Sequence, residues 1–386
     1  MNHMQKSVLT ILSAVLLLTA VLCTAGCFSD SGESDIPSVT CGISVWEKYN
    51  GIYLNMSVDE FNSHGFIVGD EVTLSFSNGK ICEHVPYLSG FVTKDGDWVL
   101  AALAGEEKPV IGIQAHANAW TAAGVSETDT ATVTLESRGK YAFLDGFSRP
   151  LSIDKSDFSS DEAFANFRPV IGGKIKENVI YRGASPVDNS QNRTTTIGEL
   201  LQKYGIKTIL DLGNSEEKAS RMVEIYKDST EVFAKYYTDG DVVFADLESN
   251  YYGESFAKNL VTALNEVLRH ETPVSLHCVE GKDRAGFVCM LIEALCGASY
   301  EEMKTDYLKT FENYYGTTPS SQPEESEFLT KEKFEPMLAY IAGVPGGTDV
   351  SSLSQNAFVS GAKQYLKSGG MSDAEIEELI QTICGE

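Results

Sequence analysis

Residues 273–286, Pro273-Val-Ser-Leu-His-Cys-Val-Glu-Gly-Lys-Asp-Arg-Ala-Gly286, oblige a buried strand to pass into a helix across one tight loop. The apolar run from Val274 to His277 reads as the strand. Beyond the loop, Phe287, Met290, Leu291, Ala294 and Leu295 recur at helical spacing, in a pattern that Arg284 opens. Gly281 lies mid-loop, where a residue without a side chain permits a sharp turn. Cys278 therefore stands at a strand's C-terminal end and faces a helix N-terminus. Converging N–H groups and the helix dipole favour negative charge there, and the thiolate is the nucleophilic form of cysteine. Arg284, six residues on, offers a planar fork suited to phosphate. A nucleophile and an oxyanion cradle share one loop.

The chain around this loop alternates strands and helices. Asn178–Gly183 and Ile206–Leu212 read as strands, and Thr196–Gly205 as a capped helix between them. Ser215-Glu-Glu-Lys begins a helix, Val242–Ala245 is a short strand, and Glu254–His270 is helical. Ser299-Tyr-Glu-Glu302 and Ser372-Asp-Ala-Glu375 read as capping boxes. This order predicts an α/β domain over residues 149–386, with a central, mainly parallel sheet flanked by helices. Residues 40–148 differ. Glu71–Ser77 and Thr130–Glu136 alternate, the first followed by the turn signal Asn78-Gly79, and Trp98–Ala101 and Pro109–Ile113 are short apolar runs. Helical spacing is confined there to Val58–Ser63 and His116–Ala123. A small β-rich domain is expected, a barrel or a sandwich. The polar, turn-rich residues 28–39 read as a tether.

The net charge of −25 over 386 residues argues against nucleic acid as a partner. A phosphate pocket must then be a local basic island, for which Lys282 and Arg284 are candidates. At the N-terminus, Lys6 precedes an apolar run from Val8 to Val21, followed by Thr24-Ala-Gly-Cys27. Small residues before a cysteine resemble the bacterial lipobox, with Cys27 as the lipidated residue. The run falls short of the ~20 residues that a membrane span prefers, which favours a lipoprotein signal over residues 1–27 above a plain secretory signal or a spanning anchor. The body is then expected outside the cytoplasm, lipid-anchored at the outer face of a bacterial cell membrane. Export permits a disulfide between Cys41 and Cys82, though two buried free thiols fit equally well. Cys289, Cys296 and Cys384 fall on apolar helix faces and read as core. No Cys-x-x-Cys or His-x3-His spacing occurs, so neither zinc nor another cofactor is expected.

The string His277-Cys-x-x-Gly-Lys-Asp-Arg-x-Gly286 resembles the signature loop of secreted bacterial cysteine-dependent phosphatases of tyrosine and dual or triple specificity. Companion motifs occur in order: Asn166-Phe-Arg-Pro, Tyr181-Arg-Gly-Ala-Ser-Pro186, Gly205–Leu212 and Asp306-Tyr-Leu. The resemblance implies a phosphomonoester hydrolase that passes through a phosphocysteine at Cys278. By the same resemblance Arg284 binds phosphate and stabilises the transition state, and Val279, Glu280, Gly281, Lys282, Ala285 and Gly286 line the anion site. His277 orients the loop and tunes the thiolate, or is simply a satisfied buried histidine. Asp283 is the candidate general acid, or anchors the loop; Asp241 and Asp246 compete for the acid role. Lys282 suits substrates with more than one phosphate, or is a solvated loop lysine. Glu280 is expected to face outward. Two positions depart from the family pattern: Ala285 replaces a Ser or Thr whose hydroxyl assists thiolate departure, and Gly213 replaces an Arg.

The implied substrates are phosphotyrosine proteins, with phosphoinositides or inositol phosphates as the alternative and a low-turnover phosphate-binding protein as a third reading. Residues from Tyr49-Asn-Gly through Gly69-Asp-Glu-Val to Asn118-Ala resemble the β-barrel domain of S-adenosylmethionine hydroxide adenosyltransferases. That family's catalysis needs another domain, so the β-rich part reads as a spacer or partner-binding module.

Overall fold

The computed structural model describes residues 36–115, 118–147 and 150–385. Cys27 and the expected lipobox lie outside them. No helix among the described residues is long and apolar enough to cross a membrane.

Residues 38–137 form a closed seven-stranded barrel. Its strands are β1 (Ser38–Trp46), β2 (Gly51–Leu54), β3 (Glu71–Phe76), β4 (Ile81–Leu88), β5 (Trp98–Ala101), β6 (Val110–Ile113) and β7 (Thr130–Ser137). They close in the order β1-β2-β6-β5-β4-β3-β7. Closure follows from β1, whose first half pairs with β7 and whose second half pairs with β2. A closed barrel leaves no unpaired edge. Alternate residues of β3, including Val72, Leu74 and Phe76, point into the barrel core beside Ile43, Leu54 and Val133. The hairpin at Asn78-Gly79 joins β3 to β4 as expected. In one wall, Glu71, His84 and Glu136 converge within 4.8 Å. Both carboxylates already have protein donors, Lys140 on Glu71 and Thr73 and the His84 N–H on Glu136.

The α/β part carries β8 (Arg168–Pro169), β9 (Ile180–Gly183), β10 (Thr208–Asp211), β11 (Val242–Phe244) and β12 (Val274–His277) in one sheet of order β11-β10-β12-β9-β8. The sheet is mixed: β11, β10, β12 and β9 run parallel, and the short edge strand β8 runs antiparallel to β9. The helix Asp283–Leu295 follows β12 and is buried on nearly every face. A helix apolar all round belongs in the middle of a domain, and this one packs against the sheet and the helix Gln355–Ser368. Both capping boxes form, at Ser299 and Ser372. The helices Glu231–Asp239 and Gln355–Ser368 are additions to the sequence reading.

Barrel and α/β part lie within one compact unit, Pro37–Glu386. Leu88, Val92, Leu144 and Phe147 belong to the same apolar core as the helices around the loop. Phe147 meets Phe311 and Tyr315 edge-on.

Cys41 and Cys82 are free thiols. Cys296 and Cys384 are buried, as expected of core residues, and are joined by a disulfide. Spacing could not show this pair, because 88 residues separate them and only the fold brings helix ends 295 and 383 together. Closing a loop of that length constrains the unfolded chain by about 2–5 kcal/mol. Cys384→Ser is therefore expected to lower the unfolding free energy by that amount in urea, and mild reductant should reproduce the loss in wild type.

Candidate active site

The register of the sheet sets the site. His277 pairs with Asp211 of β10 and with Gly183 of β9, so three parallel strands end level with one another. The loop 278–282 rises from that edge, where open α/β sheets bind ligands.

Three consecutive carbonyls of the loop are pinned by donors outside it. Val279 O accepts from the Ser185 N–H at 3.0 Å, Glu280 O from Asn166 Nδ2 at 3.0 Å, and Gly281 O from Arg182 Nη2 at 2.6 Å. A trans peptide points its N–H opposite its C=O. The N–H groups of Glu280, Gly281 and Lys282 are thereby turned away from those donors, toward the loop interior. Gly281 has φ +69, and a Cβ there would sit 2.4 Å from Gly183 O. Only glycine meets both demands.

The donors are themselves held. Arg182, 1% exposed, and Arg168 both bind the buried carboxylate of Asp306, Arg168 through Nε at 2.7 Å. Arg168 also donates to the Oδ1 of Asn166 at 2.6 Å and to Thr310 Oγ1 at 3.0 Å. Burial alone would raise the Asp306 carboxyl; the two guanidiniums outweigh it and hold it below the usual carboxylate range. Three of the four companion motifs, those of Asn166, Tyr181 and Asp306, thus converge on the loop's outer side, a role their spacing could not disclose. Asp306→Asn is expected to cost about 3–5 kcal/mol, since it leaves two buried guanidiniums uncompensated. A carboxyl whose folded pKa is depressed contributes fully above its unfolded pKa of about 4 and loses that contribution as pH falls through the folded value. Urea unfolding from pH 6 down to pH 2 should show this acid-dependent loss in wild type and a flatter profile in the variant.

Cys278 is 5% exposed at the loop's base. His277 is 1% exposed, with Nδ1 3.4 Å from Cys278 O and Nε2 3.7 Å from the Asp211 carboxylate. Burial lowers its pKa more than Asp211 raises it, so the ring is neutral near pH 7. It lies against backbone and Asp211, which in turn accepts from the N–H groups of Gly213 and Asn214. Arg284 donates through Nη1 to Leu247 O at 3.1 Å and Gly213 O at 3.4 Å. A Cβ on Gly213 would stand 2.9 Å from that Nη1. The small residue where the family pattern has Arg is the room that the Arg284 fork occupies.

Glu280 and Lys282 differ from expectation. Glu280 turns inward, accepting from the Tyr315 hydroxyl at 2.6 Å and Gln191 Nε2 at 2.8 Å, and pairing with Lys282 Nζ at 2.9 Å. Lys282 also donates to Tyr315 at 2.8 Å and is 12% exposed. Burial opposes charge on both partners, and their attraction, with Asp283 beside the lysine, keeps both ionised. Outward placement would have left the buried ammonium with only the exposed Asp283 carboxylate, 3.9 Å away, as counterion.

Of the three acid candidates, Asp241 precedes β11, whose Val242 is level with Ile209, at the end of the sheet opposite the loop. Asp246 follows β11 on the loop's side, at φ +43, paired with Lys218 at 2.9 Å. Asp283 opens the loop helix with its side chain 60% exposed, its carboxylate 3.9 Å from Lys282 Nζ. The cleft of about 500 Å³ between β11 and the helix Glu254–Val267 is lined by no residue of the loop.

Residues 163–384, more than half of the chain, match the model of the tyrosine phosphatase family. The chain belongs to the tyrosine phosphatase family. This phosphatase is a phosphoric monoester hydrolase of the cysteine-based kind. Among solved structures it is similar to the core catalytic domain of the PP-IP phosphatase SIW14 from S. cerevisiae, crystallised with citrate. The identity is 15% and the TM-score 0.24, over 43% of this chain and 90% of that one. A likeness of that extent says nothing about substrate. No curated protein matches the phosphatase.

Proposed function

We propose that this phosphatase dephosphorylates phosphotyrosine, with phosphoserine and phosphothreonine as secondary substrates, through a phosphocysteine at Cys278. The observation that carries the substrate class is the pairing of Lys282 with Glu280 and Tyr315. With that ammonium committed inside the protein, Arg284 is the cation left to receive phosphate, and one fork suits one phosphate group.

In the first step the Cys278 sulfur attacks phosphorus in line, an S–P bond forms, and the P–O bond to the leaving group breaks. The Arg284 fork and the loop N–H groups hold the equatorial oxygens. Asp283, exposed at the head of the loop helix, gives its proton to the leaving oxygen. In the second step water attacks phosphorus, the S–P bond breaks, and Asp283 takes back a proton as phosphate departs. Asp283→Asn is expected to slow alkyl phosphates about 10²-fold and 4-nitrophenyl phosphate only a few-fold, because a good leaving group needs less protonation. Equal slowing of both would assign Asp283 to loop anchoring.

Ala285, fully buried, offers no hydroxyl for the second step. This supports a second reading, a phosphate-binding protein of low turnover. A stoichiometric burst of 4-nitrophenol followed by near silence would establish it; linear turnover would exclude it. A phosphate-release screen of residues 28–386 against phosphopeptides, phosphoinositides and inositol phosphates tests the substrate class. Preference for a polyphosphorylated inositol would overturn it. From the buried disulfide, a bond that export permits, and the lipobox-like residues before Cys27, we infer a phosphatase lipid-anchored at the outer face of a bacterial membrane.

A further inference from the structure

The connection from β4 to β5 leaves the barrel and carries Asp95 into the α/β part. Its carboxylate, 7% exposed, serves three donors, none from the barrel. Lys333 Nζ reaches one oxygen at 2.7 Å. The hydroxyls of Tyr251 and Tyr252 both reach the other, Tyr252 at 3.0 Å. Lys333 also donates to Thr93 O at 2.7 Å, so the barrel connection is gripped twice.

Both tyrosines lie in the connection between β11 and the helix Glu254–Val267. The same connection supplies Leu247 O, which holds Arg284, and carries Asp246 in the left-handed region. Non-glycine residues keep such a conformation only where surroundings impose it. The Tyr251 ring stacks on Phe287 at 5.1 Å and 18°, three residues beyond Arg284 in the loop helix. Asp95 thus grips one end of a segment whose other end braces the phosphate-binding fork.

We propose that Asp95 is a positioning residue for phosphoryl transfer: from the barrel it holds the β11–helix connection so that Leu247 O fixes the Arg284 guanidinium. This rests on Arg284 as the phosphate-binding group. The barrel is then part of the catalytic architecture, and the spacer reading of it gives way.

The test uses the full chain and 4-nitrophenyl phosphate. Asp95→Ala, and separately the pair Tyr251→Phe with Tyr252→Phe, are each expected to lower kcat about 10-fold with KM changed far less, since small misplacements of a positioning contact act on the transition state. Combining the three substitutions should add little, because they remove one shared interaction. Lys94→Ala, which breaks the exposed pair with Glu332 and leaves the Asp95 contacts in place, should behave as wild type. Hydrogen exchange of amides 245–252 should quicken in Asp95→Ala and not in Lys94→Ala. If Asp95→Ala fails to fold, the tyrosine pair, which keeps both rings and the Asp95–Lys333 contact, carries the same comparison. Wild-type kcat and KM in either variant, or unchanged exchange, would overturn the proposal. Should wild-type hydrolysis itself prove independent of Cys278, the site reading falls on its own, and the exchange arm still decides the tether.

Discussion

Replacing Cys278 with serine is expected to reduce phosphate release by roughly 10⁴-fold or more, to the background rate. The substitution changes one atom, and the loop that surrounds it is held from outside. Ser185, Asn166 and Arg182 pin the carbonyls of 279–281 whatever stands at 278. Anion binding should therefore survive, and tungstate titrated calorimetrically should bind Cys278→Ser about as well as wild type. What disappears is the nucleophile. A serine hydroxyl ionises far less readily than a thiol, and the neutral His277 beside it faces the Cys278 carbonyl and Asp211. Undiminished hydrolysis by Cys278→Ser would sink the phosphocysteine mechanism outright.

The second large effect concerns the fork. Arg284→Lys keeps the charge but loses planar, two-pronged recognition and the brace to Leu247 O, and kcat/KM should fall about 10²–10³-fold. Gly213→Ala approaches the same group from the other side. Its added Cβ would press on Nη1, the far end of a flexible side chain, so the fold should yield and the fork should move. About 10-fold lower kcat with an unchanged urea midpoint is expected. A Gly213→Ala enzyme with wild-type kinetics would show that the fork is not held where phosphate meets it. The pair separates charge from placement, which a deletion of Arg284 alone would confound.

Much of this was legible in one dimension because it depends on short-range chemistry. The period of apolar residues distinguishes Val274–His277 from Phe287–Leu295, and both elements form. Asn78-Gly79 specifies a hairpin locally, through the positive φ of Gly79 and the Lys80 N–H that Asn78 Oδ1 accepts. Ser299 and Ser372 cap helices through contacts three residues away. Strands β1 and β4 were harder to read, since β1 divides its pairing between two neighbours and its alternation bends with it.

The site divides along the same line. The placing of Cys278, Arg284 and Gly281 follows from their order within a single strand–loop–helix unit, where spacing in sequence is close to spacing in space. The partners of Glu280 and Lys282 do not, because Tyr315 and Gln191 lie 35 and 89 residues from Glu280. An inward carboxylate is affordable only when such partners are present, and sequence does not say where they are. The same reason hides the clamp of Arg168, Arg182 and Asp306, the disulfide between Cys296 and Cys384, and the grip of Asp95 on Tyr251 and Tyr252. The sequence by itself determined that a cysteine would stand in a tight turn between a buried strand and the head of an apolar helix. Tertiary structure alone decided which charges in that turn are free to meet a substrate, because a buried charge takes its state from neighbours that folding supplies.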